Sequence, residues 1–142
     1  MSQLILKNIH LQQIQFRINP DFRVENENQA VEIKHNIAIK YELKEKLLAV
    51  HISLQTPPID QSGNYPFYFL LVVTGFFELK DEIKESELDK FANINCAAII
   101  FPYLRETLAD VTRRSGFPPL HLQPVNFIKL YKEKADRCNQ KE

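Results

Sequence analysis

The segment from Tyr65 to Val73 constrains the fold more than any other part of this sequence, because nearly every residue in it is apolar. Its aromatic and aliphatic side chains do not alternate with polar ones, as they would in a half-buried strand. A strand that is apolar on both faces needs cover on both faces. The helices of so short a chain can cover one face of a small sheet. We therefore expect the other face to contact another subunit, because an exposed apolar patch of that size is a liability on a monomer.

Three other segments alternate at period two and predict half-buried strands. The first changes the frame of its alternation, and each change predicts a bulge or bend. Its apolar residues are Leu4, Leu6, Ile9, Leu11, Ile14, Phe16 and Ile18. The second and third segments, residues 31–43 and 48–54, flank a short polar stretch and predict an antiparallel hairpin. Asn19-Pro20-Asp21 predicts a turn, and residues 56–64, which contain two prolines and a glycine, predict a loop.

The second half of the chain predicts helices. Residues 80–90 are charged and compatible with a helix, and Asn93 or Asn95 is a candidate cap for the helix that follows. From Cys96 onward apolar residues recur at helical spacing. Pro102 lies within this run, where it should kink the helix or mark its start.

Two further signals mark the end of one helix and the beginning of the next. Gly116 follows a basic segment, which is typical of a helix C-terminus. Asn126 is a candidate N-cap for a last helix with Phe127, Leu130 and Tyr131 on one face. The sequence thus predicts one α+β domain over residues 1–142: a four-stranded antiparallel sheet with two C-terminal helices on one face. Its strands are expected within about residues 3–78, its helices within about 84–136, and a short charged tail at 137–142.

Charge and composition exclude several classes of function. Lysine plus arginine and aspartate plus glutamate number 18 each, so no overall field attracts nucleic acid or an acidic membrane surface. No apolar run approaches the ~18 residues of a membrane span, and the N-terminal residues lack the layout of a signal peptide. We therefore expect a cytoplasmic protein that binds no nucleic acid and does not insert into membranes.

No group of residues predicts a metal site or a cofactor. Cys96 and Cys138 do not form a CxxC pair, and a disulfide framework is not expected in this context. Cys96 lies in an apolar helix and is expected to be a small buried hydrophobe. The chain also lacks a phosphate-binding loop. The four histidines lie on separate predicted elements and are His10, His35, His51 and His121.

No arrangement of residues predicts catalysis either. Arg105 and Glu106 are adjacent on the predicted helix, point in different directions and have no nucleophile beside them, so a structural ion pair or a subunit contact explains them. Arg113 and Arg114 in a last helical turn are explained by the helix macrodipole. We expect the protein not to be an enzyme.

Three short motifs in the second half resemble the SecB family of export chaperones. They are Phe101-Pro-Tyr-x-Arg-Glu106, Gly116-Phe-Pro118 and Pro124-Val-Asn-Phe127, in family order and at close to family spacing. The order of strands first and helices last also fits this family. The resemblance implies a homotetramer built as a dimer of dimers. It also implies an ATP-independent chaperone that holds unfolded, extended polypeptides and keeps precursors competent for export by the Sec translocase.

The resemblance further implies a hydrophobic client groove between the last helix, the sheet and the crossover segment before the second strand. Phe127 of the Pro-Val-Asn-Phe motif would be its central aromatic residue. Leu130 and Tyr131 would line the groove from the same helix face, although such a stripe also packs a helix on a sheet. The remaining predicted groove residues are Leu4, Ile33 and Ile37.

The surface that would dock on the SecA translocase motor departs from the family pattern. SecB-like proteins are usually acidic and use acidic residues of the first and last strands to bind a basic tail of SecA. The corresponding positions here are Gln13, Arg17 and Leu70, two neutral residues and one positive charge. Charge complementarity controls encounter rate and partner choice, so this change disfavours SecA as a partner.

Three alternatives to an export role stay open at this point. SecB-like proteins also occur beside toxin–antitoxin pairs, where they protect one antitoxin. The neutral charge and the altered docking positions favour such a dedicated role, or a stand-alone chaperone in an organism with different export machinery. The third alternative is a structural oligomer without chaperone activity, because a fold does not by itself imply a function. Its mark would be a groove filled by the protein's own side chains.

Overall fold

Four strands precede the helices, as the sequence predicts, and a short helix within the charged segment at 80–90 precedes the two predicted C-terminal helices. The computed structural model describes residues 4–22, 33–57 and 65–140, with side chains as far as Arg137. Val31 and most of the predicted loop at 56–64 lie outside the described residues. The elements are β1 Leu4–Ile18, β2 Asn36–Lys44, β3 Leu47–Gln55, β4 Phe67–Leu79, α1 Glu85–Phe91, a π-helical turn Ala92–Cys96, α2 Ala97–Arg114 and α3 Phe127–Gln140.

The strands form one antiparallel sheet in the order β1-β4-β3-β2. This order explains the apolar run of β4, because that strand lies inside the sheet and pairs on both sides. The register of β1 against β4 shifts between Leu6 and Asn8 and again between Leu11 and Gln13. The bulges predicted from the frame changes in β1 are therefore confirmed.

The hairpin of β2 and β3 closes through Glu45 and Lys46. Glu45 has a φ of 59°, in the left-handed region that a tight two-residue turn requires. The register runs without interruption from the pair Lys44 and Leu47 to the pair Asn36 and Gln55. The predicted hairpin is confirmed, and it places β2 at one edge of the sheet.

The hydrophobic core lies between one face of the sheet and α2. Ile100, Leu104 and Leu108 of α2 are fully buried at helical spacing against the face that carries Leu48 and Phe77. The helix approaches the sheet closely at Gly75 of β4. A Cβ placed on Gly75 would lie 2.7 Å from Ile100 Cδ1, so only glycine fits there without displacement.

The N-terminal part of the helical layer differs from the prediction. Residues 85–114 form a nearly uninterrupted helical run, in which the π-helical turn joins α1 to α2. Asn93 and Asn95 lie inside that turn, so the predicted cap at either residue is wrong. The cause is local, because Asn93 donates its side-chain Nδ2–H to the Asp89 carbonyl at 2.7 Å. Pro102 lies inside α2 and does not mark its start.

The predicted end of α2 at Gly116 and the predicted N-cap of α3 at Asn126 are both confirmed. Gly116 has a φ of 89° and donates to the Arg113 carbonyl, while Phe117 donates to the Thr112 carbonyl, both at 3.1 Å. These two bonds form a Schellman motif that ends α2. Asn126 Oδ1 accepts the Lys129 N–H at 3.1 Å and caps α3. The helix continues to Gln140, beyond the expected limit at 136.

Two apolar surfaces lack cover in the described chain. On the sheet face opposite α2, the β4 side chains Tyr68, Leu70, Val72 and Phe76 are only half-buried. On the face that carries the helices, four apolar side chains of β1 are not covered by a helix and are 41–48% exposed. Those β1 residues are Leu6, Leu11, Ile14 and Ile18. The two surfaces lie on opposite faces of the sheet.

Candidate functional site

An open cavity of about 370 Å³ lies between the edge strand β2 and the last helix. We call this cavity the β2–α3 groove. Apolar side chains of Ile37, Ile39 and Leu130 contribute to its walls, and the ring of Tyr131 stands beside them. Its complete lining is Ile37, Ala38, Ile39, Lys40, Asn93, Leu130, Tyr131, Lys134 and Arg137.

Four consecutive residues of β2 line the groove, although their side chains alternate between the two faces of the sheet. All four residues lie along the outer edge of β2, which is an edge strand of the sheet. The groove therefore exposes main chain as well as side chains. It lies where the apolar face of α3 and the edge of the sheet meet.

The direction of the main-chain groups follows from the pairing pattern. Each residue of a strand directs its N–H and C=O to one edge, and successive residues alternate. Leu79 donates its N–H to the carbonyl of Lys46 at 2.8 Å, so even-numbered residues of β3 face β4 and odd-numbered ones face β2. The β2 residues that pair with these odd-numbered residues are even-numbered, and they direct their N–H and C=O groups to β3. The odd-numbered residues Ile37 and Ile39 therefore direct their N–H and C=O groups to the outer edge of the sheet.

Asp89 of α1 holds the groove together by hydrogen bonds to two tyrosines. Its Oδ1 accepts the hydroxyl of Tyr41 from β2 at 3.0 Å, and its Oδ2 accepts the hydroxyl of Tyr131 from α3 at 2.7 Å. Asn93 donates to the Asp89 main chain one turn further along. One carboxylate thus links the two walls of the groove to the helical layer behind them. Hydrogen bonds to a charged group are worth about 1.5–3 kcal/mol each.

The ionisation of both tyrosines responds to this arrangement. Burial, followed by the hydrogen bond to Asp89, raises the pKa of Tyr41 from 10.0 to about 12. The hydrogen bond to Asp89, followed by burial, raises the pKa of Tyr131. Both hydroxyls therefore stay protonated and continue to donate at neutral pH. The sequence prediction missed Asp89, because only tertiary structure brings its two partners together.

A second cavity of about 680 Å³ lies on the other side of Tyr131. It is formed between α1, the π-helical turn and the first part of α3, with Phe91, Ile94 and Ile128 as its apolar residues. Tyr131 lines both cavities, so they flank the same turn of α3. Ile128 is 53% exposed at the mouth of the second cavity.

The structure brings only part of the predicted groove together. Ile37, Leu130 and Tyr131 line the β2–α3 groove, and Ile33 is half-buried against the core just before β2. Phe127 is 7% exposed and packs edge-on against Phe101, with ring centroids 5.6 Å apart. None of the cavities described here includes Phe127 in its lining. Its place at the centre of a client groove stays a prediction.

Leu4 lies far from the other predicted groove residues within one chain. It pairs with Leu79 at one edge of the sheet, whereas Ile37 lies on the opposite edge in the row of Leu71. Three strand spacings separate the two edges, about 14 Å, and eight residues along β4 add about 27 Å. One chain therefore does not place Leu4 in the β2–α3 groove.

The three predicted docking positions do lie together on one surface. Gln13, Arg17 and Leu70 are on the sheet face opposite α2, because Leu70 pairs with Gln15, which lies between Gln13 and Arg17 on β1. Arg17 and Leu70 also line a shallow cavity of about 420 Å³ at this end of the sheet. In the described part of the chain no ion pair neutralises Arg17. This surface therefore carries a positive charge from Arg17.

Arg113, Arg114 and Cys96, which were considered as candidates for catalysis, form ion pairs within one helix or are buried in the core. Arg113 and Arg114 both pair with Asp110 one turn earlier on α2, and these pairs lower the pKa of that carboxyl group. Cys96 is fully buried, and burial raises the pKa of its thiol to about 12. The prediction that Cys96 is a small buried hydrophobe is confirmed. Within residues 4–22, 33–57 and 65–137, no cluster of three metal-ligating side chains occurs.

Fold and groove together define a class of small α+β proteins, in which a four-stranded antiparallel sheet carries its helices on one face and a groove at its edge. The sequence model of the family described as "Preprotein translocase subunit SecB" matches residues 1–138. The chain therefore belongs to the SecB family. The family predicted from three short motifs is confirmed.

Similar proteins agree with this assignment. The chain is 29% identical to the protein-export protein SecB of Burkholderia multivorans over 142 residues, which are 100% of this chain and 85% of that protein. It is also 29% identical to the protein of the same name from Burkholderia vietnamiensis, over 99% of this chain and 84% of the relative. Both matches extend over nearly the whole chain.

Two solved structures share the fold. One is a SecB-like chaperone of Mycobacterium tuberculosis in complex with a peptide from an antitoxin, with a TM-score of 0.71 and 20% identity over 86% of this chain and 90% of that chain. The other is a protein of unknown function from Streptococcus agalactiae, with a TM-score of 0.53 and 14% identity over 87% of this chain and 99% of that chain. The predicted α+β architecture is confirmed. Among the described helices, none has the length and apolar character that a membrane crossing requires.

Proposed function

We propose that this protein is an ATP-independent holding chaperone of the cytoplasm that keeps unfolded precursor proteins competent for export by the Sec translocase. The observation that carries the proposal is the β2–α3 groove, where an apolar helix face lies beside the outer edge of a strand. Family membership and relatives named protein-export protein SecB support the export role. The proposal includes no catalytic step and no cofactor.

The groove suits extended segments of many sequences. A client strand that lies along β2 meets the outward N–H and C=O groups of Ile37 and Ile39, which recognise any main chain. Alternate side chains of that strand then contact Leu130 and Tyr131. Main-chain pairing supplies general affinity, and the apolar wall favours segments that are buried in folded proteins.

We include in this proposal a homotetramer built as a dimer of dimers. A dimer of dimers needs two different self-association surfaces on each chain. The half-buried side chains of β4 on one sheet face and the exposed apolar residues of β1 on the other supply two candidates. Within such an assembly Leu4 of one chain is free to contribute to a groove of another. Leu11→Glu is expected to lower the mass found by sedimentation equilibrium, and an unchanged mass would exclude the β1 surface.

In this proposal SecA binds the protein only weakly. Gln13, Arg17 and Leu70 lie together on one face and lack the acidic charge that suits a basic partner. Like charges at an interface slow encounter and disfavour the complex. Arg17→Glu is therefore expected to tighten binding to SecA, measured by surface plasmon resonance at low salt.

A dedicated antitoxin chaperone is the second candidate function. The structural neighbour from Mycobacterium tuberculosis is a SecB-like chaperone in complex with a peptide from an antitoxin. The neutral net charge of this chain and its altered docking positions favour such a role. A structural oligomer without chaperone activity is less well supported, because its mark is a groove filled by its own side chains. The β2–α3 groove retains about 370 Å³ of open volume between the described residues.

Light scattering tests the proposal directly. A chemically unfolded, aggregation-prone protein is diluted into buffer with and without this protein, in the absence of nucleotide. We expect suppression of aggregation at near-stoichiometric tetramer. Leu130→Ser should weaken the suppression, whereas Leu43→Ser, at a 42% exposed position of β2 outside the groove, should not. Absence of suppression by the unmodified protein would reject general holding activity and leave an antitoxin-dedicated or a purely structural role.

A further inference from the structure

Two positively charged side chains of α3, Lys134 and Arg137, line the β2–α3 groove. Lys40 lines it from the edge of β2, but its side chain lies on the sheet face opposite to that of Ile37 and Ile39. Lys134 and Arg137 are both exposed. Neither forms an ion pair with another described residue, whereas Arg113 and Arg114 on α2 both do. The groove therefore presents cations whose charge no described acid neutralises.

The acidic groups nearby do not offset this charge. Asp89 lies behind Tyr131, and its carboxylate accepts hydrogen bonds from Tyr41 and Tyr131. Glu133 and Asp136 belong to α3, but neither lines the groove. A ligand in the groove thus meets the two cations of α3 and no carboxylate from a lining residue. Such an arrangement disfavours basic ligands and favours acidic ones.

The spacing of the helix residues sets the spacing of charge in a matching ligand. Leu130 and Lys134 are one turn apart on α3, and Arg137 follows at the next turn on the same side. From Leu130 to Arg137 the helix rises about 10 Å. An extended chain covers that distance in about three residues. An apolar residue placed against Leu130 therefore brings the next two to four residues of its own chain near the cations.

We propose that the β2–α3 groove selects extended polypeptide segments in which an apolar residue is accompanied within about three positions by aspartate or glutamate. The inference rests on the proposed holding function and specifies its client. The apolar wall binds the anchor, the edge of β2 binds the main chain, and Lys134 and Arg137 bind the carboxylates. Segments with lysine or arginine in place of the acids bind more weakly because of like charge.

Three fluorescent peptides test this specificity. They share one apolar nonapeptide core and differ only at two positions beside the anchor, which are glutamate, serine or lysine. Fluorescence anisotropy at low salt gives the dissociation constant of each peptide. Each exposed charge pair contributes roughly a two- to fivefold change in affinity. We expect the glutamate peptide to bind about tenfold more tightly than the lysine peptide, with the serine peptide between them, and the difference to shrink as salt is added.

Two charge-reversed proteins with equal net charge provide the matched comparison. Lys134→Glu with Arg137→Glu should invert the order of the acidic and basic peptides. Lys80→Glu with Lys129→Glu, two exposed positions that do not line the groove, should preserve it. Circular dichroism and urea unfolding confirm that both double variants are folded. A preference that both variants lose equally would overturn the groove as its origin.

The remaining outcomes separate this inference from the proposed function. Equal affinity for all three peptides, with aggregation still suppressed, would overturn the charge preference and leave the holding function intact. Tight binding of a control peptide with the two glutamates but no apolar residue would also overturn it, because the surface would then attract any anion. If no peptide binds and no aggregation is suppressed, the holding function and the inference fail together.

Discussion

Phe127→Ala distinguishes a residue that packs the last helix from one that binds clients. The family motif predicts Phe127 as the central groove aromatic, but the structure buries it against Phe101 at 7% exposure. Truncation of a buried phenylalanine costs about 3–5 kcal/mol. Phe127 is the first residue of α3, where neighbours relax easily, so we expect about 3 kcal/mol. For a chain of this length that loss lowers the melting temperature by roughly 10 °C.

Urea unfolding followed by circular dichroism measures this loss, at one fixed protein concentration because oligomers gain stability with concentration. The neighbouring Ile128→Ala, at a 53% exposed position, is the control and should change stability by less than about 0.5 kcal/mol. In the folded fraction, Phe127→Ala should retain affinity for an unfolded client. A variant with unchanged stability and lost client binding would refute the packing argument and place Phe127 in a client-binding surface.

Three further changes test the core and the support of the groove. Asp89→Asn should lower stability by about 1–3 kcal/mol. It should also return the pKa of Tyr131 toward 10.0, followed by absorbance at 295 nm, and an unchanged pKa would contradict the hydrogen bond. Gly75→Ala should cost about 1–3 kcal/mol in thermal unfolding, because its Cβ would overlap a side chain of α2, and unchanged stability would show that α2 gives way. In a Cys138→Ser background, Cys96 should resist iodoacetamide at pH 8 until urea unfolds the protein. Because its pKa is raised from 9.0 to about 12, its contribution to stability is full below pH 9 and is lost as pH rises toward 12, and rapid native labelling would contradict this burial.

Much of the fold follows from local sequence signals. The frame changes of β1 predict two bulges that the register confirms, and Gly116 and Asn126 mark helix boundaries by well-defined hydrogen bonds. The caps predicted at Asn93 and Asn95 are wrong, because the chain continues through a π-helical turn there. A π-helical turn has no strong local sequence signature. The Asn93 side chain donates a hydrogen bond to the Asp89 carbonyl and does not cap a helix.

The candidate site was only partly predictable. Leu130 and Tyr131 share one helix face, so helical spacing alone places them together. Lys134 and Arg137 continue the same face, but a basic helix end is expected from the macrodipole and carries no separate signal. Their place in a groove depends on the position of β2, which only the strand order reveals.

By itself the sequence determined most of the elements, the α+β class, the apolar β4 strand and the family, because periodicity, turn residues and short motifs are each contained in a few neighbouring residues. Tertiary structure alone decided the order β1-β4-β3-β2 and, with it, the groove. It separated Leu4 from Ile37 at opposite edges, buried Phe127 and joined Asp89 to two tyrosines. The physical reason is that long-range pairing depends on how whole elements pack together, and no short window of residues contains that information.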